Sequence, residues 1–408
     1  MKKLSRRFLL DNSYLVFNQL LKLFFPIVII PISLKLVGIQ EFGNIASYLS
    51  IALIFCFITD FGVNIFGPPR LSSSDSNEAV IIFSELTKFK AICLILTQIF
   101  FLIYYFFFEK NNISLFIIFQ FYAVGTFLDS LWYFFGTKNF KKIFLASLLG
   151  IVISIALISI FYFLDLINSL QIVTLLFCLP FFITSFLSFF LVLGILKRKA
   201  FAHKKKFNNS LFSENMRLFI SQFISTIYLN IGPIITLNFI GPEASAIWFA
   251  INRLSMSLGT FAQVPYKVVF PDIASNYLKN KSKSVLLLKE SFAYFFGIVF
   301  FGITVFFMFF DAFNDYFFDN VLTNDLGLIF FFSFWSFVQI VGPVVTGYLL
   351  VTERSKLIIF INFQVILILL VSFSHFISRY DIYGWYIAIC LSQLPNIYFL
   401  KYVFDKKT

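Results

Sequence analysis

The sequence predicts an all-α, polytopic membrane protein with about twelve transmembrane helices, arranged as two six-helix bundles related by a parallel pseudo-repeat. Three observations predict it. The 408 residues are 60% hydrophobic and only 13% charged. Lys and Arg concentrate in alternate connecting segments. Several residues recur at a single offset of 203 positions.

Composition bounds the class first. Soluble chains carry about 25% charged residues, and their surface-to-volume scaling cannot hide so much apolar side chain. The mean hydropathy is +0.90. One spanning helix takes about 20 apolar residues, so about twelve spans absorb most of the apolar positions. A soluble enzyme, a nucleic-acid-binding module and a disordered chain are all excluded on this ground. The 64 Phe residues suit lipid-facing positions. Cys56, Cys93, Cys178 and Cys390 lie in apolar runs without a CxxC pair, so they read as small fillers rather than a disulfide framework.

Hydropathy places spans near residues 13–36, 44–66, 89–108, 113–136, 143–164, 170–196, 215–240, 245–269, 290–310, 326–350, 357–377 and 382–404. Each must be helical, since lipid offers no partner to open backbone groups. Span 1 follows a basic start. It is too long for a signal peptide, and no small-residue cleavage site stands at Lys35-Leu36-Val37-Gly38, so it is expected to be retained. Span 2 closes at Asp60-Phe61-Gly62, and span 4 at the run from Asp129 to Gly136, followed by Lys138, Lys141 and Lys142. A basic segment, 197–214, separates spans 6 and 7. Span 8 closes with Gln263-Val264-Pro265. The longest connections, 67–88 and 270–289, leave no room for a soluble domain.

Charge then orients the chain. The net charge is +12, from 32 Lys and Arg against 20 Asp and Glu. With both termini cytoplasmic, 26 of the basic residues fall inside, counting Lys267 and Lys401 at the span ends, three (Lys35, Lys110 and Arg379) fall outside, and three (Lys22, Arg217 and Arg253) lie in span interiors. The positive-inside rule selects this orientation, and contact with anionic lipid accounts for the charge without nucleic acid.

The basic segment also divides the chain into 1–196, an N-terminal bundle, and 215–408, a C-terminal bundle, joined by the cytoplasmic linker 197–214. Asn12 and Asn215, Gln19 and Gln222, Gly38 and Gly241, and Pro68 and Pro271 are each 203 apart and occupy matching places in the span pattern. Six is even, so both halves enter from the same side and the repeat is parallel.

Five ionisable residues are assigned to span interiors: Lys22, Asp60, Asp129, Arg217 and Arg253. Each costs about 2.5–3.5 kcal/mol at mid-bilayer on insertion scales, so each needs a partner or a use. Arg253 is the deepest permanent cation. Its planar fork suits phosphate, though a snorkelling or carbonyl-paired Arg is the structural alternative. Lys22 and Asp60 lie at similar depth, so they read either as a pair or as phosphate contact and ion coupling respectively. Asp129 reads as a proton-coupling group, since burial favours the protonated carboxylate, or equally as a helix cap or a partner for a loop lysine. Arg217 reads as an interfacial anchor or a ligand. Gln222 and Asn230, eight residues apart on span 7, face nearly the same side.

The sequence predicts no catalytic residues, no metal and no cofactor. It has no GxxxxGK[ST] phosphate loop, zinc spacing or Ser-His-Asp set. His203 and His375 are far apart, and Asp311, Asp315 and Asp319 read as a solvated helix face. A transporter with this sequence would have to draw on an ion or substrate gradient.

Several runs carry a family resemblance. They are Asn12, Gln19, Pro26 and Pro31 with Val37-Gly38 and Glu41-Phe42-Gly43; Thr59-Asp60-Phe61-Gly62-Val63-Asn64 with Arg70; Asp129-Ser130-Leu131-Trp132-Tyr133-Phe134-Phe135-Gly136; and Gln263-Val264-Pro265 with Phe270-Pro271. The chain resembles the polysaccharide transporter family, and within it the O-antigen flippases (Wzx type) of the larger multidrug and oligosaccharidyl-lipid exporter group. The resemblance runs over most of residues 12–275. It implies a flippase that moves an undecaprenyl-pyrophosphate-linked oligosaccharide across the bacterial inner membrane, alongside membrane lipids and other polysaccharide assembly proteins. It further implies a cationic cavity, to which Arg253, Arg217 and Lys22 would contribute, with Trp132, Tyr133, Gln222, Asn230 and Gln263 toward sugar. Trp132 and Tyr133 read equally as interface anchors. Phe135 departs from the family pattern, which carries Gln before that glycine. A drug or metabolite antiporter of the same fold is the alternative. A polysaccharide polymerase is disfavoured by the short outer loop near 311–325.

Overall fold

A computed structural model of the chain describes residues 6–72, 74, 76–108, 112–196, 210–262, 281–318, 326–351 and 355–404. In chain order its helices are α1 (Arg6–Asp60), α2 (Val63–Ser72), α3 (Ser76–Phe108), α4 (Ile113–Leu128), α5 (Leu131–Gly136), α6 (Phe140–Phe163) and α7 (Ser169–Leu196). There follow α8 (Ser210–Phe239), α9 (Pro242–Ala262), α10 (Lys281–Met308), α11 (Phe310–Phe318), α12 (Leu326–Val351), α13 (Ser355–Ser392) and α14 (Leu394–Phe404). There is no strand among the described residues. Nine apolar stretches of these residues are long enough to cross a membrane. Two of them, Ser13–Ser72 and Leu357–Lys401, bend midway. This is a multi-pass membrane protein.

The breaks in these long stretches have local causes. Helix α1 turns at Gly38, whose φ of 78° belongs to the left-handed region that glycine enters without a Cβ penalty. The turn expected between spans 1 and 2 is therefore a kink within one hydrogen-bonded run. Helix α13 bends at Asp381, with φ 47°, where the hydropathy pattern separates the last two spans. Beside that bend, Gly384 lies against the Phe376 carbonyl with no room for a side chain. The end of α8 repeats the device of α1, since Gly241 has φ 139°. Span 4 differs from expectation. The stretch 113–136 is two helices, α4 and α5, separated by Asp129 and Ser130.

The chain forms two compact units. The first comprises Met1–Leu21 and Leu36–Ile234, the second Lys22–Lys35 and Ile235–Thr408. In the first, α7 packs against α4 and α6, and the short helices α2 and α5 pack against each other and against α3 and α6 respectively. Their core joins Val63, Phe66 and Leu71 of α2, Phe83 and Leu86 of α3, Trp132 to Phe134 of α5, Ile143 of α6 and Val192 of α7. In the second unit, α12 is central, touching α9, α10, α13 and α14. Its core is aromatic: Trp248 lies 5.1 Å from Phe331 and 5.7 Å from Trp385, and Phe331 stacks on Tyr386 at 4.2 Å. Apolar side chains such as Ile95, Ile99 and Ile103 of α3 point outward, as lipid-facing positions do.

Candidate functional site

The candidate site grows from the two helix breaks of the first unit. Helix α1 ends at Asp60 because Phe61 (φ 46°) and Gly62 (φ 79°) are both left-handed, and the chain resumes as α2 at Val63. The Asp60 carboxylate caps the new helix. Its Oδ1 accepts from the Asn64 side-chain amide at 2.9 Å, and its Oδ2 lies 3.5 Å from the Asn64 backbone nitrogen. Between α4 and α5 the pattern recurs. Asp129 Oδ1 accepts from the backbone N–H of Leu131 at 3.1 Å, while the Ser130 N–H donates to Ser188 Oγ at 3.1 Å. Short acidic and hydroxyl side chains bonded this way compete with helix continuation, which is why the predicted single span breaks here.

The two breaks meet. The Asn64 amide nitrogen donates both to Asp60 Oδ1 and, at 3.1 Å, to Asp129 Oδ2, bridging the carboxylates. Lys90 of α3 closes the cluster: its Nζ donates to the Asp129 carbonyl oxygen at 3.0 Å and stands 3.8 Å from Asp60 Oδ1. Lys90 is 1% exposed, Asp60 6% and Asp129 8%, so three charged side chains are withdrawn from solvent together. Such groups are tolerated only when paired and hydrogen-bonded. The depth pattern points to Lys22 as the cation facing Asp60, but the cation there is Lys90. Asp129 acts as the helix cap that one reading allows. Lys90 escapes the sequence reading because it sits one residue inside its span and counts naturally among the loop lysines. Its signal is a lysine within the apolar run 89–108.

The two motif runs also pack face to face. A Cβ at Gly67 would stand 2.6 Å from the Trp132 ring, and one at Gly136 would stand 2.6 Å from Leu71 Cβ and 3.0 Å from the Pro68 carbonyl oxygen. Trp132 and Tyr133 are buried in this core, so they neither anchor at an interface nor present a face to sugar. Phe135 is exposed at its edge. Beyond the cluster, Phe61 stacks on Phe219 of α8 at 4.1 Å, tying the turn between α1 and α2 to α8.

The remaining predicted residues are dispersed. Gln222 and Asn230 are half-buried on α8 and linked through Thr226, whose hydroxyl donates to the Gln222 carbonyl and whose carbonyl accepts from the Asn230 amide. Arg253 is half-buried on α9 in the second unit, its guanidinium 4.9 Å from the Phe249 ring centre. Lys22 is exposed on α1. Arg217 falls on α8 with its side chain outside those described, and Gln263 lies outside the described residues. Asp311 and Asp315 are exposed on α11, while Asp319 is not among the described residues.

Comparison with known proteins agrees with this architecture. A family described as "Polysaccharide biosynthesis protein" matches residues 9–277, which contain both motif runs and the whole cluster. The chain is 25% identical over 279 residues to a protein of Escherichia coli (strain K12) named "Putative O-antigen transporter", and the match spans 65% of each chain. Among solved structures, an inward-facing multidrug resistance MATE family transporter of the MOP superfamily superposes with a TM-score of 0.66 at 12% identity, covering 94% of this chain and 97% of that one. The lipid II flippase MurJ in an inward closed conformation gives 0.58 at 15% identity, covering 97% and 87%. With that fold, and a family match over most of its length, the chain belongs to the polysaccharide biosynthesis protein family.

Proposed function

We propose that the protein is a flippase that moves undecaprenyl-pyrophosphate-linked O-antigen or related oligosaccharide units across the bacterial inner membrane by alternating access, driven by an ion gradient. The observation that carries this reading is the family match over 9–277 on a transporter fold, with the two motif runs packed together inside it. The similarity to an O-antigen transporter and to a lipid II flippase supports a lipid-linked saccharide as substrate. Chemically, the polyprenyl tail stays in lipid while pyrophosphate and sugars need screening from hydrocarbon. Arg253, with Lys22 and Arg217, would hold the pyrophosphate. Gln222, Asn230 and Gln263 would meet sugar hydroxyls. Asp60 and Asp129 are the candidates for ion coupling.

On the same reading both termini and the linker 197–214 are cytoplasmic, and 1–196 and 215–408 are the two halves of a parallel repeat. The positive φ shared by Gly38 and Gly241, at the 203-residue offset, supports that repeat. The test is reconstitution. In sealed vesicles the protein should translocate a polyprenyl-pyrophosphate oligosaccharide, and transport should collapse when proton and sodium gradients are dissipated with ATP still supplied. Efflux of drugs with no movement of the lipid-linked saccharide would replace this reading with an antiporter.

A further inference from the structure

We propose that Lys90 is a positioning residue for transport: its ammonium ties two helix breaks together at once, so that α2 and α5 keep one fixed placement relative to α1 and α4. The inference rests on the transport reading above, and its structural half stands on geometry alone.

The α1–α2 break and the α4–α5 break each lack continuous helical hydrogen bonding, and each is soft unless something outside the helix holds it. Lys90 reaches both. It donates to the backbone carbonyl of Asp129, at the second break, and lies in ion-pair range of Asp60, which ends the first. The Asn64 amide spans the same gap from the α2 side. On the far side of these breaks, α2 and α5 are locked together by Gly67 against Trp132 and Gly136 against Leu71. The paired short helices, packed in one core with α3, α6 and α7, thus lie beyond two bends that share one buried ammonium, carried by α3, the second bend being held also by the Ser130 N–H on Ser188 of α7.

Charge balance alone does not account for the arrangement. A buried ion pair replaced by apolar groups is often neutral or stabilising, so stability gives little reason to keep this one. A lysine contributes what a methionine of similar length does not: directional donors that reach a carboxylate and a carbonyl on different helices.

The test replaces the pair without changing net charge. In Lys90→Met/Asp60→Asn the cluster loses one positive and one negative group, and the protein is expected to insert at normal abundance. Spin labels at Phe116→Cys on α4 and Phe135→Cys on α5, with the four native cysteines replaced by Ala, report the bend between those helices. With Lys90 and Asp60 in place the distance distribution should be single and narrow. In the double variant it should broaden or split, and turnover in reconstituted vesicles should fall about tenfold below that of Asp60→Asn alone, which removes any coupling role of that carboxylate, while the KM for the lipid-linked saccharide stays within about twofold. A distribution as narrow as that of the parent, or turnover equal to that of Asp60→Asn alone, overturns the proposal. If the parent itself moves no lipid-linked saccharide, the flippase reading fails, and the distance distribution still decides whether Lys90 ties the breaks together.

Discussion

The two units treat their membrane-buried cations in opposite ways. Lys90 in the first is 1% exposed, and its ammonium is engaged by a carbonyl at 3.0 Å and a carboxylate at 3.8 Å. Arg253 in the second is half-buried, with its guanidinium 4.9 Å from an aromatic ring centre. The difference teaches that a charge in a span is not by itself a ligand. The Lys90 ammonium joins two helix breaks, whereas the Arg253 guanidinium lies against an aromatic ring.

The sharpest way to break that contrast is to remove each cation in turn. Lys90→Ala leaves the buried Asp60 carboxylate without its ammonium and the Asp129 carbonyl without its donor, and should cost about 3–5 kcal/mol. Membrane abundance and detergent-solubilised Tm should both drop, whatever the substrate. A Tm equal to that of the parent would show that the cluster is not held by its charges.

Arg253→Ala should do the reverse. Abundance stays normal and export of the lipid-linked saccharide falls about hundredfold, roughly 2.7 kcal/mol of lost transition-state stabilisation. Arg253→Lys should recover only part, because charge is kept and the bidentate geometry lost. Full export by Arg253→Gln would rule this residue out as the phosphate ligand.

The smallest effect concerns the packing that makes α2 and α5 one block. Gly136→Ala forces a methyl against Leu71 Cβ and the Pro68 carbonyl, an overpacking cost of about 1–3 kcal/mol. The matching change at Gly38, where a Cβ would meet nothing within 4 Å, costs only the strain of a left-handed backbone, about 1 kcal/mol. Comparing the Tm of the two variants separates close packing from conformational strain. Equal losses would mean that the α2–α5 contact is looser than its distances indicate.

Much of the fold was legible in the chain. Hydropathy located the spans, and Gly38 and the residues near 381 marked two bends, because bilayer thickness and the absence of backbone partners in lipid leave few alternatives. The motif runs at Asp60-Phe61-Gly62 and Trp132 to Gly136 also stood out. The break at Asp129 did not: a hydropathy window averages over two residues, and the apolar character of 113–136 continues across it. Trp132 and Tyr133 were open to a sugar-binding reading because an aromatic pair near a span end looks the same whether it faces water, lipid or core.

The sequence alone determined that this chain lives in a membrane, that it is built of helices, and that a handful of charges in its spans need an explanation. Those are statements about solvent and local periodicity, which each residue carries with it. Only the tertiary structure decided which charge meets which. Asp60, Asn64, Lys90 and Asp129 come from four different helical segments, and partner choice depends on angstrom-scale placement of helix ends that no spacing rule encodes. Lys22 and Lys90 are equivalent by composition, and depth within the span favours Lys22. The left-handed turn at Phe61 and Gly62 and the break at Ser130 bring Asp60 and Asp129 to Lys90, because each turns the chain where α3 passes.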